Sequence, residues 1–376
     1  MVEWKEIGEI AKRNKGIPIT AGQMSELEAP DGNIRVFAAG QTVANINESE
    51  LPSNCAYKKP SIIVKSRGYV DFVFYDKPFT HKNEMWSYSF VNKQFGKYVY
   101  YFLTTKTEFF RKKAKANSVK LPQLCVADTD KFLIPIPSQS EQNKIVDILD
   151  TFTSSIENLK EQIAQRRKQY EHYRDQLLDL EGKEKEDIHS WGEFCEMIKG
   201  NGVQKVDFVD EGKGCIHYGQ IYTHYGPFTY TTNRFVSEEV FQKAKKASKG
   251  DIIMTDTSEN VEDICKSVAY LGEEDIAVSN HALIIKHKQN PKFLSYSTQT
   301  NSFFLQKRKV VVGVKVSGIK PDHLAQIKIY LPNIDEQNRI VSILDTFETS
   351  ISNLEAQLKE REKQYEYYRN KLLTFE

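Results

Sequence analysis

The stretch EQNKIVDILDTF at residues 141–152 returns as EQNRIVSILDTF at residues 336–347, 195 positions further along the chain. Extended outward, residues 137–181 and 332–376 agree at 26 of 45 positions without a gap, so the segment is an internal copy rather than a coincidence. In the first copy Ile145, Leu149, Phe152, Ile156, Leu159, Ile163, Arg166, Tyr170, Tyr173, Leu177 and Leu180 alternate steps of four and three. The second repeats this with Ile340, Leu344, Phe347, Ile351, Leu354, Leu358, Arg361, Tyr365, Tyr368, Leu372 and Phe375. Such a heptad seam is the apolar stripe of a helix that packs on another helix. Ser138 and Asn333 stand three residues before Glu141 and Glu336, the spacing of a capping box. Pro135, Pro137 and Pro332 hold the preceding chain extended.

A helix of about 40 residues is about 60 Å long. A segment of about 150 residues, such as the one between the copies, folds to a diameter on the order of 40 Å. Parallel helices would require that segment and the charged linker EGKEKEDIHS to span the whole helix length, whereas antiparallel helices bring both attachment points to one end. The expectation is therefore an antiparallel intramolecular coiled coil with one globular domain at each end. The expected boundaries are 1–136 for the first domain, 137–181 for the first helix and 182–190 for the linker. The second domain then runs over 191–331 and the second helix over 332–376.

Composition agrees with folded α+β domains. In 376 residues, 40% are hydrophobic and 11% aromatic, enough apolar surface to offset chain entropy. No apolar run is long enough to cross a bilayer and the start MVEWKEIGEI lacks the pattern of a signal peptide, so a cytoplasmic protein is expected. The five cysteines, Cys55, Cys125, Cys195, Cys215 and Cys265, form no C-x-x-C pair and read as isolated buried thiols. Net charge is +1, but residues 1–140 carry 20 basic against 14 acidic groups while residues 191–335 carry 18 against 17. Residues 137–181 carry 6 basic against 9 acidic groups, so a polyanion would meet the globular parts and not the helices.

The globular parts share a fainter duplication. Trp4 in VEWKEIGEI is paired with Trp191 in HSWGEFCEM, and LPQLCVADTDKFLIPIP with VSGIKPDHLAQIKIYLP just before each helix. Between these marks β-branched runs at 61–64, 70–75, 251–254 and 281–285 predict strands, and 97–113 and 238–247 predict short helices.

Catalytic signatures are missing from the sequence. Asn290-Pro291-Lys292-Phe293 lacks the second proline of an adenine-methylase tetrad and reads as a turn opening a helix. There is no G-x-x-x-x-G-K-[ST] loop, and Gly212-Lys213-Gly214 lacks the remainder of a dinucleotide fingerprint. His217 and His224 sit in a strand-and-turn context rather than as a metal pair, and Glu273-Glu274-Asp275 reads as a solvated loop. No catalytic residue, metal ligand or cofactor is assigned.

What stands out instead are polar-aromatic and basic clusters in the divergent middles: KSRG and THKNEMW in the first, IHYGQIYTHYG, TSEN, Lys266 and SNHA in the second. Arg and Lys read guanine edges, Asn and Gln read adenine, and Ser, Thr, Tyr and His position phosphates. Candidate DNA-binding residues are Lys65, Arg67, Lys82, Asn83, His217, Tyr218, Gln220, Tyr222, Asn260, Lys266 and His281. Ordinary turns with satisfied polar groups are the competing reading for each. The runs at 111–115, 243–249 and 307–309 fit backbone contacts or solvated faces.

The order of domain, EQ-x-x-I-V-x-I-L helix, domain and the same helix resembles the specificity subunit of type I restriction-modification systems. The resemblance rests on IPIPSQSEQNKIVDILDTF and IYLPNIDEQNRIVSILDTF, with KSRG and KGDIIMTDTSEN as weaker marks. It implies a non-catalytic subunit that reads an asymmetric, bipartite duplex-DNA target, with the helices as spacer. It also implies recruitment of two adenine methyltransferase subunits and, in some systems, restriction subunits. Partner-facing candidates at the helix starts are Glu141, Gln142, Lys144, Glu336, Gln337 and Arg339, and the isolated chain is expected to be a monomer. The alternatives are a homodimeric coiled-coil scaffold with protein-binding end domains, and an enzyme whose site uses no familiar motif.

Overall fold

The structure, a computed structural model, describes residues 2–118, 120–313 and 317–375. It divides into two compact units, Met1–Lys160 with Ala356–Glu376, and Glu161–Glu355. Each unit therefore takes in a stretch of both long helices, Gln139–Leu178 and Ile334–Leu372. The helix starts are capped where the sequence places them: Ser138 Oγ accepts from the Glu141 amide at 3.3 Å and Asn333 Oδ1 from the Glu336 amide at 3.0 Å.

The first unit is built on a four-stranded antiparallel sheet in the order Lys12–Lys15, Trp86–Ser89, Ser61–Lys65, Asp71–Tyr75. The strand SIIVK is buried on both faces, which is why its sequence is continuous rather than alternating. Ile62 and Val64 pack with Tyr98, Val99 and Phe102 of the helix Lys93–Thr105. Ile63 points the other way, into Phe37, Phe79 and Met85. Two of those residues belong to a second sheet in the order Val43–Ile46, Ile34–Phe37, Phe79–His81. The single helix expected over 97–113 is two, Lys93–Thr105 and Thr107–Asn117, because Thr104 and Thr105 hydroxyls bond back to Tyr101 and Phe102 carbonyls and Lys106 leaves helical geometry.

The second unit repeats the strand order with Cys195–Lys199, Ala282–His287, Ile252–Thr255 and Ser267–Tyr270, and adds Phe228–Thr229 in parallel at the edge. Ile252, Met254, Leu283 and Ile285 face Phe293, Tyr296 and Phe303, which lie on the helices Pro291–Ser297 and Asn301–Val310. Ile253, Val268 and Ile284 face Ile216, Ile221 and Val278 on the opposite side. The expected helix over 238–247 is only Glu238–Lys243, after which Lys246–Ala247 joins a second five-stranded sheet. Asn290 caps the helix that Pro291 opens, as the sequence indicates.

The fainter duplication is real but shifted. In the first unit the strand Glu3–Glu6 pairs with Leu133–Ile136, and in the second Ile188–Ser190 pairs with Lys328–Tyr330. A one-turn helix follows each first strand, opening on buried Ile7 and buried Trp191. Their amides donate to Phe132 and Ile327 carbonyls at 3.1 and 3.0 Å. Trp191 thus answers Ile7, not Trp4, which is 43% exposed on its strand. The paired segment VSGIKPDHLAQIKIYLP begins at Val316, which lies outside the described residues.

The thiol expectation also needs correcting. Cys55, Cys215 and Cys265 are buried, but Cys195 is half-buried and Cys125 is exposed at the start of the turn of helix Val126–Asp130. All five are free.

Candidate nucleic-acid interface

The copied helix first fixes each unit's scaffold. Asp150, the acid of ILDTF, receives hydrogen bonds from Lys97 and from the Tyr101 hydroxyl. Asp345, its copy, receives them from Lys292 and the Tyr296 hydroxyl, each at 2.7 Å. Phe152 stacks on Tyr368 at 5.4 Å beneath the Arg361 guanidinium. In the other unit Phe347 lies 5.4 Å from Tyr173 beneath Arg166. The same contacts are made twice with the roles of the two helices exchanged, and within each unit the helices run antiparallel. They also explain why an arginine occupies a seam position, since its cation sits over a ring of the facing helix. Lys160 with Glu362 and Arg167 with Glu355 continue the seam.

Gln142 and Gln337, read from sequence as partner-facing, are 4% and 0% exposed. Their Nε2 atoms donate to Pro137 and Pro332 carbonyls at 2.8 and 2.7 Å. Both therefore secure the proline-to-helix turn, and of the six candidates only Glu141, Lys144, Glu336 and Arg339 reach the surface. Arg339 forks onto Glu336 at 2.7 and 2.6 Å, which holds the Glu336 carboxyl below its ordinary pKa.

In the second unit the fold gathers sequence-distant candidates into one cluster. His217 opens the helix Tyr218–Thr223, and its ring is 4.5 Å from Tyr218. Tyr218 meets His281 edge-on at 5.4 Å and Tyr222 at 6.3 Å. The Tyr222 hydroxyl donates to the Thr257 carbonyl, and Lys266 Nζ to the Tyr222 carbonyl at 3.3 Å. His281 has a φ of 65°, a left-handed geometry uncommon for a residue with a side chain. Its Nδ1 lies 3.3 Å from Thr257 Oγ1 and 3.9 Å from Asp256 Oδ1. Asp256 is 5% exposed and pairs with Lys199 at 3.1 Å.

Within this cluster, His281, Lys266 and Asn260 reach solvent, and Tyr218 and Tyr222 are half-buried. Two candidates are already spoken for. His217 is 6% exposed, its Nδ1 accepts from the Gly219 amide at 3.1 Å, and burial lowers its pKa. Gln220 returns its Oε1 to the His217 amide at 2.8 Å and its Nε2 to Asn233. Together they make the helix cap, so their polar atoms serve the turn. Asn260 similarly closes a local turn on Asp263, at 2.8 and 2.9 Å.

The first unit's candidates lie on two turns. Lys65 Nζ donates to the Gly40 carbonyl, and Lys82 pairs with Glu84 at 3.1 Å, with both side chains largely covered. Arg67 and Asn83 are exposed. Arg67 bridges Gln123 through its backbone, which ties the turn to the chain before the long helix. The structure does not bring Arg67 and Asn83 into a described contact.

Sequence reading missed Tyr69 beside Arg111, where the guanidinium lies 4.1 Å over the ring, and the pairing of Asp256 with Lys199 and His281. The missing signal was proximity between segments far apart in sequence. Among the described residues no group of His, Cys, Asp and Glu is placed to hold a metal, and no helix is long and apolar enough to cross a membrane.

Comparison with known proteins bears on this geometry. The family model for the type I restriction modification DNA specificity domain matches residues 1–166 and 185–363. A type I restriction enzyme specificity subunit of Escherichia coli is 28% identical over 400 residues, covering 100% of this chain and 94% of its own length. One from Haemophilus influenzae is 26% identical over 403 residues, covering 100% of this chain and 96% of its own. Among solved structures, the S subunit of a type I restriction-modification system from M. genitalium superposes with a TM-score of 0.61 at 16% identity, covering 100% of this chain and 97% of that one. By family, the chain is a specificity subunit of the type I restriction-modification class, a non-catalytic subunit for DNA recognition.

Proposed function

We propose that the two units read the two halves of a bipartite, asymmetric duplex-DNA target, that the paired helices set the gap, and that the two copied helix starts each engage one adenine methyltransferase subunit. The observation that carries this reading is the doubled contact set: Asp150 with Lys97 and Tyr101, and Asp345 with Lys292 and Tyr296, on an otherwise divergent pair of units. A shared frame around loops that differ, KSRGY in one and the Tyr218, Thr257 and His281 cluster in the other, is what two readers of different sequence on one spacer require. Glu141 and Lys144 on the first helix correspond to Glu336 and Arg339 on the second, all four exposed or half-buried, and supply two similar surfaces for one type of partner. Restriction subunits would join the same assembly. The homodimeric scaffold requires an open seam, whereas Phe152 and Phe347 are covered by this chain's own Tyr368 and Tyr173.

Methylation mapping of host DNA with and without the gene tests the proposal. A two-part motif should vanish with the gene, and replacing residues 1–135 by another first domain should change one half only. Adding one heptad to each long helix should change only the gap. Loss of a continuous, one-part motif would refute the bipartite reading.

A further inference from the structure

The turn joining Ser61–Lys65 to Asp71–Tyr75 presents a tyrosine to solvent in a fixed pose. Tyr69 is 63% exposed. The turn needs Gly68, whose φ is +75° and whose amide donates to the Pro122 carbonyl at 2.8 Å. Behind the ring, the Arg111 guanidinium stacks at 4.1 Å. Arg111 is itself held by the Val70 carbonyl through Nε at 3.0 Å and by Glu108 at 2.5 Å. One ring face is backed by a cation and the bulk of the ring stays open. Beside it lies a cleft of about 330 Å³, lined by Gly68, Tyr69, Val70, Arg111, Lys112 and Lys115 among others. Lys112 and Lys115 are exposed and make no ion pair among the described residues. Exposed Arg67 lies one residue before Gly68.

A large aromatic held rigid in water beside unpaired lysines is suited to a ligand with flat rings and anionic oxygens. We propose that Tyr69 is a DNA contact of the first unit, its ring lying against a base or deoxyribose, with Lys112 and Lys115 on neighbouring phosphates. This rests on the DNA-recognition reading of that unit and adds Tyr69, Lys112 and Lys115 to the candidates read from KSRG. Arg111 acts as a positioning residue, because its guanidinium lies over the ring while its Nε and Nη1 are held by the Val70 carbonyl and Glu108.

The test uses the full chain assembled with its methyltransferase subunits, and a duplex carrying the motif found by methylation mapping beside a scrambled duplex. Y69A should weaken binding to the motif duplex about tenfold while leaving the salt dependence of binding unchanged, and Y69F should bind as wild type. The pair K112Q/K115Q should weaken both duplexes and flatten the slope of log K against log salt by about 2. Because Tyr69 is exposed, Y69A should melt with the wild-type complex. Wild-type affinity of Y69A in a complex that still discriminates the motif overturns the assignment. So does loss of bound methyltransferase subunits at unchanged DNA affinity, which would make the ring a protein contact. A wild-type complex that does not discriminate the two duplexes overturns the DNA reading itself, and the Tyr69 assignment with it.

Discussion

Replacing Asp345 by alanine tests whether the repeated ILDTF segment is retained for its hold on the globular unit as well as for a partner. Tyr296 is 0% exposed and its hydroxyl donates to Asp345 Oδ1 at 2.7 Å. Without the carboxylate that phenol is buried with no acceptor, and a hydrogen bond to a charged group contributes about 1.5–3 kcal/mol. Lys292 loses its partner at 2.7 Å, but the carboxylate is 32% exposed, so this pair adds no more than about 1 kcal/mol. D345A should therefore cost the second unit about 2–4 kcal/mol. Y296F should cost less, because it removes donor and need together. In the double variant the two losses should fall short of their sum by about 1 kcal/mol or more. Two units make one global unfolding energy ill-defined, so the assay is hydrogen exchange of the full chain, read at the amides that follow Pro291 in its helix and around Leu344. Protection should fall there while that of Ser61–Lys65 is unchanged. Additive losses, or a D345A effect under about 0.5 kcal/mol, would refute the clamp.

Three further outcomes follow from the packing. His81 is buried, with Nδ1 on the Lys82 carbonyl and Nε2 on Ser87 Oγ, and burial pushes its pKa down to about 4 from 6.5. The unfolded state then takes up the proton first, so the first unit should lose about 3 kcal/mol as pH falls from 6.5 through 4, and H81Q should abolish that slope in pH-dependent unfolding. Glu348 runs the opposite way: burial raises its pKa, with Asp345 and Glu355 adding to it, so its penalty is present at neutral pH and relieved as pH falls. E348Q should stabilise the second unit at pH 7 and not below about pH 4.5, read by the same exchange experiment. F347A removes the ring between Tyr173 and Arg166 and should cost about 2–3 kcal/mol, with loss of protection near Phe347, since the ring is only half-buried.

The two pH trends sit in different units, which makes them separable in one titration. On the proposed reading, stability and recognition draw on different residues. His81, Glu348, Asp150 and Asp345 are committed to the frame, whereas Tyr69, His281 and Lys266 reach solvent from turns. Loops carried on a rigid frame can change sequence without moving the frame.

The sequence by itself determined the two long helices, their caps at Ser138 and Asn333, and their seam, because a period of three and four with aligned caps is a local property of the chain. It also indicated the family, since the repeated EQ helix is a contiguous mark. The tertiary structure decided what locality cannot show. It put Gln142 and Gln337 inside, because only the fold reveals that a proline carbonyl lies in reach of each amide. It moved the partner of Trp191 from Trp4 to Ile7, because pairing follows strand register rather than residue likeness. It assigned His217 and Gln220 to a helix cap and joined Tyr218, Thr257 and His281, which are about 20 to 60 residues apart, into one surface. Hydrophobic period and capping act over a few residues and can be read in order. Surfaces made by strands crossing a sheet depend on which segments the core brings together, and that is set by packing of the whole unit.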